Sequence, residues 1–206
     1  NKAINLASTN AMSGNITVST LGTTGNVTID NGTTALGIQG TVNGALDLTA
    51  GAAITDSSTL TVSGTSDFTI DNGSNHITLG SAVLTGAIGV STTGTSNFTL
   101  DNTTTAVNLG TVGVTGALSV TSGEAITDSG VITVTTTSSF TTDVNNKAIN
   151  LGSANAMSGN ITVSTLGTTG NVTIDNDTTP LGIQGTVNGA LDLTAGAAIT
   201  DSSTLT

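Results

Sequence analysis

Residues 40–72 read GTVNGALDLTAGAAITDSSTLTVSGTSDFTIDN, and their rhythm decides the fold. Apolar side chains alternate with polar or small ones in short runs, as in Leu46-Asp47-Leu48 and Leu60-Thr61-Val62. Successive side chains of an extended chain point to opposite faces, so this pattern is that of a strand with one face buried. Between the runs lie Asn-Gly and Ser-Gly groups, which tolerate φ > 0 and make tight corners. The same reading extends in both directions, through Ile16-Thr17-Val18 and Val27-Thr28-Ile29 on one side and Ile88-Gly89-Val90, Leu118-Ser119-Val120 and Ile132-Thr133-Val134 on the other. Branched Val, Ile and Thr suit a pleated surface. No segment carries apolar residues at helical spacing over three turns, so the chain is expected to be all-β.

The sequence also repeats itself. Residues 146–206 repeat residues 1–61 at an offset of 145, with four substitutions: Ala7 to Gly152, Thr9 to Ala154, Gly32 to Asp177 and Ala35 to Pro180. Within that period, GALDLTAGAAITDSSTLTV (44–62) is echoed by GALSVTSGEAITDSGVITV (116–134), which defines half-periods of about 72 residues. A smaller unit opens with VTIDN (27–31), FTIDN (68–72), FTLDN (98–102), a degenerate FTTDV (140–144) and VTIDN (172–176). Long and short spacings alternate between these openings: Val27 to Phe68 and Phe98 to Phe140 are long, Phe68 to Phe98 and Phe140 to Val172 short. Residues 1–206 therefore read as one continuous repeat array, expected to belong to a longer chain whose targeting signals lie outside it.

Composition narrows the choice of architecture. Aromatics make up 1% of residues, so no thick core can be built on large rings. Disordered chains are poor in aliphatic and β-branched residues and rich in Pro and charge; this one holds a single proline, and Val, Ile and Leu recur throughout. Strands this short could pair as hairpins in tandem sandwiches or wind as parallel coils. Winding is favoured by small aliphatics that fit a narrow interior and by charges too sparse (7%) to guard many separate sheet edges. Like residues at near-constant spacing favour it too, since apolar columns and Asn or Thr ladders could then stack from coil to coil. With about 20 residues per coil, as in many solenoids, each 145-residue period holds roughly seven coils of a parallel β-helix.

Stretches 40–72 and 116–140 resemble large bacterial β-strand-repeat exoproteins, including filamentous-haemagglutinin-like proteins of two-partner secretion and autotransporter passenger regions. The resemblance lies in the Gly-apolar-x-apolar-Thr rhythm and the Asx/Gly corners, and it spans essentially the whole chain. It implies a parallel β-helix at a bacterial cell surface, serving in adhesion or as a fibre.

Few residues could carry chemistry. His76 is the only histidine; its half-period counterpart is Ala148, no general-base partner is spelled out nearby, and it reads as an exposed corner residue. No nucleophile elbow, zinc-binding helix motif or phosphate loop occurs. Asp30, Asp71, Asp101 and Asp175 share the apolar-Asp-Asn corner, with Asp143 in its degenerate form; Asp56, Asp128 and Asp201 share Ile-Thr-Asp-Ser. Aligned carboxylates at the first four positions are candidate Ca²⁺ ligands, although the preferred reading is that each Asp caps its own turn. On that reading no cofactor is needed. Asn-x-Ser/Thr sequons begin at Asn15, Asn26, Asn31, Asn72, Asn97, Asn102, Asn160, Asn171 and Asn176. Phe68, Phe98 and Phe140 read as interior fillers.

The formal net charge is −11, with Lys2 and Lys147 the only basic residues. That inventory argues against nucleic acid as a partner and against the clustered acids and bases of a solenoid lyase. No apolar run approaches a membrane span. The expectation is a non-enzymatic structural segment of an extracellular fibre, sheath or filament that associates with itself laterally or end to end. The alternative is an adhesive stalk or face that binds cells or polysaccharide.

Overall fold

The computed structural model describes residues 2–206. Among them every regular element is a strand, and every strand pairing is parallel. The strands fall into two sheets, of twelve and ten strands. The first runs through Ile4–Leu6, Val27–Asp30, Leu46–Ala50, Ser66–Ile70, Ala87–Ser91, Val107–Val114, Ile126–Asp128, Ile149–Leu151, Val172–Asp175 and Leu191–Thr194, with Ile132–Val134 and Ala156–Met157 beside it. The second runs through Asn15–Ser19, Leu36–Val42, Ile54–Val62, Ile77–Leu84, Phe98–Asn102, Leu118–Ser122, Ser138–Asn145, Asn160–Leu166, Leu181–Thr186 and Ile199–Leu205. Each turn of chain contributes to both sheets, and in two of them the first-sheet part is split in two (Ile126–Asp128 with Ile132–Val134, Ile149–Leu151 with Ala156–Met157), giving about ten coils of roughly 21 residues. The expected β-solenoid is what forms.

The repeat maps onto the coil directly. Strands Val27–Asp30 and Val172–Asp175 occupy equivalent places in the sequence and stand seven rungs apart in the first sheet; Asn15–Ser19 and Asn160–Leu166 stand seven apart in the second. One period is therefore seven coils and advances about 34 Å at the ~4.8 Å spacing of paired strands. A half-period is then three and a half coils, and the extra half-turn exchanges the sheets. Leu46–Ala50 is in the first sheet and its counterpart Leu118–Ser122 in the second; Ile54–Val62 is in the second and its counterparts Ile126–Asp128 and Ile132–Val134 in the first. The alternating long and short modules have the same origin. From Val27 to Phe68 is two coils within one sheet, whereas from Phe68 to Phe98 is one and a half coils and crosses to the other.

The core is a thin slab of inward-facing columns. Leu6, Ile29, Leu48, Phe68, Val90, Val112 and Ile132 stack in register on the first sheet. Facing them, Leu36, Ile54, Ile77, Phe98, Leu118, Ser138, Ile161 and Ile183 stack on the second. The one-and-a-half-coil spacing sets Phe68 against Phe98 across the slab, ring centroids 6.5 Å apart and planes 29° from parallel. Such a pair adds roughly 0.5–1.5 kcal/mol beyond the area it buries. All three phenylalanines are fully buried, as expected of fillers.

Glycine is needed where coils touch backbone to backbone. A Cβ on Gly64 would lie 2.6 Å from the backbone of Gly44, and one on Gly86 would collide with the Gly64 carbonyl, so this corner stacks glycine on glycine. Gly40 sits at φ +111°, where the ladder between Leu36–Val42 and Ile54–Val62 shifts register, and its counterpart Gly185 sits at +117°. Other side chains rarely adopt that backbone.

Candidate functional site: the polar corners, outer faces and coil edges

The corner motif works through asparagine. In NVTIDN (26–31), NFTLDN (97–102) and NVTIDN (171–176) the two flanking Asn side chains reach opposite ways along the solenoid. The leading Asn26, Asn97 and Asn171 each accept the backbone N–H of the next coil, at Ala45, Ala117 and Ala190 (3.0, 2.8 and 2.9 Å). The trailing Asn31, Asn102 and Asn176 are fully buried and grip the previous coil. Asn31 Oδ1 accepts Met12 N–H at 2.8 Å while its Nδ2 donates to the Met12 carbonyl at 3.0 Å. Asn102 does the same to Leu84 (2.8 and 3.1 Å) and Asn176 to Met157 (2.8 and 3.0 Å). A side-chain amide presents a C=O and an N–H on separate atoms, as the peptide group does, so it can stand in for a strand backbone where the ladder breaks. The arrangement is the same on both sheets. It also closes three sequons, since the Nδ2 atoms of Asn31, Asn102 and Asn176 are buried and engaged.

These contacts correct the expected stacking of polar side chains. The apolar columns do pile like on like, but the amides bond mostly to the backbone of the neighbouring coil. Gln39, which donates to Thr17 Oγ1 at 2.9 Å and accepts from Ser57 at 3.0 Å, is among the side-chain links, and Gln184 repeats it.

The aspartates divide into three kinds. Asp30 and Asp175 cap their own turns, accepting the N–H of Gly32 (2.8 Å) and Asp177 (2.9 Å). Asp56 and Asp128 do not, contrary to the turn-capping expectation: each braces the coil above. Asp56 accepts the N–H groups of Gly80 and Ser81 at 2.9 and 2.6 Å, and Asp128 accepts Ser153 N–H at 3.2 Å and Asn155 Nδ2 at 2.8 Å. These two are half-period counterparts on opposite sheets making equivalent bonds. Asp201, their counterpart in the last coil, is exposed.

The third kind faces outward. Asp47 and Asp67 are register partners on the first sheet. Burial, and then the neighbouring Asp47 charge, raise the Asp67 carboxyl above the ordinary carboxylate value. Asp101 on the second sheet is raised by burial and then by Asp143 and Asp56, and its Oδ1 is buried without a hydrogen-bond partner. The four candidate calcium ligands are split between the sheets, with Asp30, Asp71 and Asp175 at ends of first-sheet strands and Asp101 in a second-sheet strand. Among the described residues no group of three or more His, Cys, Asp or Glu side chains is placed to hold a metal ion.

His76 lies at an exposed corner, its Nδ1 accepting Asn97 N–H at 3.1 Å. The surface otherwise carries open dents, from about 160 Å³ beside Asp67, Thr69, Gly89, Ser91 and Thr111 to about 510 Å³ beside Asn5, Leu6, Ser8 and Asn10. Among the described residues no helix is long and apolar enough to cross a membrane.

Leu46 and Ile54 are fully buried, while Leu191 and Ile199, identical residues one period on, are 38% and 45% exposed. Leu6 is 37% exposed and its counterpart Leu151 fully buried. Leu46 and Ile54 share their local sequence with Leu191 and Ile199, and only the neighbouring coil differs.

Fold and corners together define a two-sheeted parallel β-solenoid built from half-period repeats. The sequence matches the family described as repeats of unknown function (DUF5649) over residues 24–91, 95–164 and 169–206, and the chain belongs to that family. Successive matches begin close to one half-period apart, so the family's unit is the stretch of three and a half coils. No curated protein and no solved structure matches the chain.

Proposed function

We propose that the chain is a non-enzymatic shaft segment of an extracellular surface fibre, sheath or filament that associates with itself. Its kin on this reading are the large bacterial β-strand-repeat exoproteins, of the filamentous-haemagglutinin or autotransporter kind. The observation that carries the proposal is that the strands of both sheets pair in parallel with those of the coils directly before and after, rung upon rung along one line. Each coil is completed only by the coils above and below it, so stability accrues along a line and length is the property that repetition extends. The outer faces add support: short polar side chains and two lysines suit an inert wall better than a reaction vessel.

Electron microscopy of chains carrying increasing numbers of the 145-residue period tests the reading. Unbranched rods of constant width, each added period lengthening them by about 34 Å, support it, as do ordered filaments in native material. Compact particles whose diameter grows in all directions would overturn it. Isolated rods that bind cells or polysaccharide through one face would replace the shaft with an adhesive role.

A further inference from the structure

Four Asn-Gly dipeptides occur in the chain, beginning at Asn31, Asn43, Asn72 and Asn188. Such a pair carries a reaction of its own. The glycine amide nitrogen, unhindered by a Cβ, attacks Cγ of the asparagine side chain and closes a succinimide ring. The new N–Cγ bond replaces the Cγ–Nδ2 bond, and Nδ2 leaves as ammonia with the proton given up by the glycine amide. Water then opens the ring at either carbonyl, giving aspartate or isoaspartate, the latter with one extra methylene in the main chain. The asparagine side chain must be free to turn onto the backbone, and the glycine N–H must be free to lose its proton.

Three of the four dipeptides are held against this chemistry. Asn31 is fully buried with both ends of its amide bonded to Met12, and Gly32 N–H donates to the Asp30 carboxylate at 2.8 Å. Asn43 donates its Nδ2 to the Thr20 carbonyl and its N–H to Thr20 Oγ1, and Asn188 makes the same two bonds to Thr165.

Asn72 is the exception. FTIDN (68–72) repeats the corner motif and gives Asn72 the motif position of Asn31, Asn102 and Asn176. Asp30-Asn31-Gly32 and Asp71-Asn72-Gly73 are even the same tripeptide. Yet Asn72 is exposed, and among the described residues its side chain has no hydrogen-bond partner. Asn75 braces this corner in its place, its Nδ2 donating to the Gly51 carbonyl at 3.0 Å and to the Asn72 carbonyl at 3.1 Å. Gly73 is exposed too, at φ +71°, and its N–H is unbonded among the described residues.

We propose that Asn72-Gly73 is a self-modification site, where the folded chain converts asparagine to aspartate and isoaspartate with water as the only co-reactant. The product acts on the stack. The next coil clamps this corner, Thr93 Oγ1 donating to the Gly73 carbonyl at 3.1 Å and Thr95 N–H to Ser74 Oγ at 3.2 Å. A main chain longer by one methylene cannot satisfy these clamps and the Asn75 grip on the previous coil together, and the new carboxylate stands beside Asp71. Conversion therefore loosens the coil that carries the corner.

Peptide mapping by mass spectrometry, after incubation of the chain in mildly alkaline buffer, tests the site with folded and denatured samples side by side. In denaturant the Asn31 and Asn72 peptides are expected to convert at similar rates. In the folded chain Asn72 is expected to stay close to its denatured rate. Asn31 and the shared peptide of Asn43 and Asn188 are expected to react about ten-fold or more slower, because they wait on local opening. Conversion at Asn72 should quicken as pH rises, since the attacking amide must lose its proton. The converted chain should also exchange backbone hydrogens faster over residues 66–84 than an Asn72→Ser chain incubated alike. Protection of Asn72 equal to that of Asn31 overturns the site. Equal reactivity of all four dipeptides in the folded chain overturns the guarding, and conversion without faster exchange overturns the loosening. None of these outcomes bears on the shaft reading, which rests on the stacking alone.

Discussion

At the residue level, the two copies record a coupled change. A Cβ on Gly32 would lie 2.6 Å from the Thr9 methyl. In the second copy the glycine is Asp177, at φ 45°, and the threonine is Ala154, which lacks that methyl. Asp tolerates left-handed backbone better than most residues, so the methyl is what had to go. Gly32→Asp alone is expected to destabilise the chain by about 1–3 kcal/mol through overpacking, and Thr9→Ala to restore most of it. Ala154→Thr is expected to destabilise the second copy alike. Denaturant titration of the double-mutant cycle reads the coupling, and strict additivity would refute it. Ala35 to Pro180 costs no ladder bond, because the strand's first donor is the next residue, Leu36 or Leu181. Nothing in the structure explains Ala7 to Gly152.

Asp67 supplies a pH prediction. Its carboxyl is raised in the folded chain by burial and then by Asp47, so between the ordinary and the raised value the folded state holds more protons than the unfolded one. Stability from this group is therefore present at low pH and falls as pH rises through the raised value. Asp67→Asn should raise the melting temperature at neutral pH and flatten that part of the profile. A variant less stable than wild type at neutral pH would show that the carboxylate is needed where it stands.

At the level of the element, the working unit is a strand plus a corner, two to each coil. Val42 and Val62 are register partners one coil apart. Deleting residues 43–62 joins Val42 to Ser63 and lays Ser66–Ile70 over Val27–Asp30, with Phe68 on Ile29, on which Leu48 now sits. The shortened chain is expected to fold cooperatively, with unchanged β-content per residue by circular dichroism and a modest loss of melting temperature. Collapse of the β signal would mean that particular coils are irreplaceable. This is also the level at which the sequence is partly opaque. Strands, corners and the 145-residue period are legible because apolar alternation and spacing are local properties. The buried asparagines escape a reading of the sequence, because Asn and Asp look alike as turn residues until one sees that both the N–H and the C=O of Met12, Leu84 and Met157 need a partner.

For the molecule as a whole, position in the stack governs protection. Peptide GALDLTAGAAITDSSTLT occurs twice, as residues 44–61 and 189–206, with identical sequence. The first copy is covered on both sides and the second on one. Hydrogen exchange followed by mass spectrometry should therefore show two populations in a single peptide mass, one slow and one fast. A single uniform rate would mean that the end coil is protected as well as the middle, and that stacking does not set local stability.

Amino-acid order alone dictates that the chain is all-β and repeats every 145 residues, because alternation, corner residues and repeat length are written along the chain; it favours winding over tandem sandwiches, and seven coils per period follow once the ~20-residue coil common to solenoids is assumed. Folding in three dimensions settles the rest. The half-period exchanges the two sheets, and Asp56 and Asp128 brace the coil above and not their own turns. The reason is physical: those outcomes depend on which backbone lies one rung away, a distance of about 5 Å in space and a whole coil away in sequence, which no local pattern of side chains specifies.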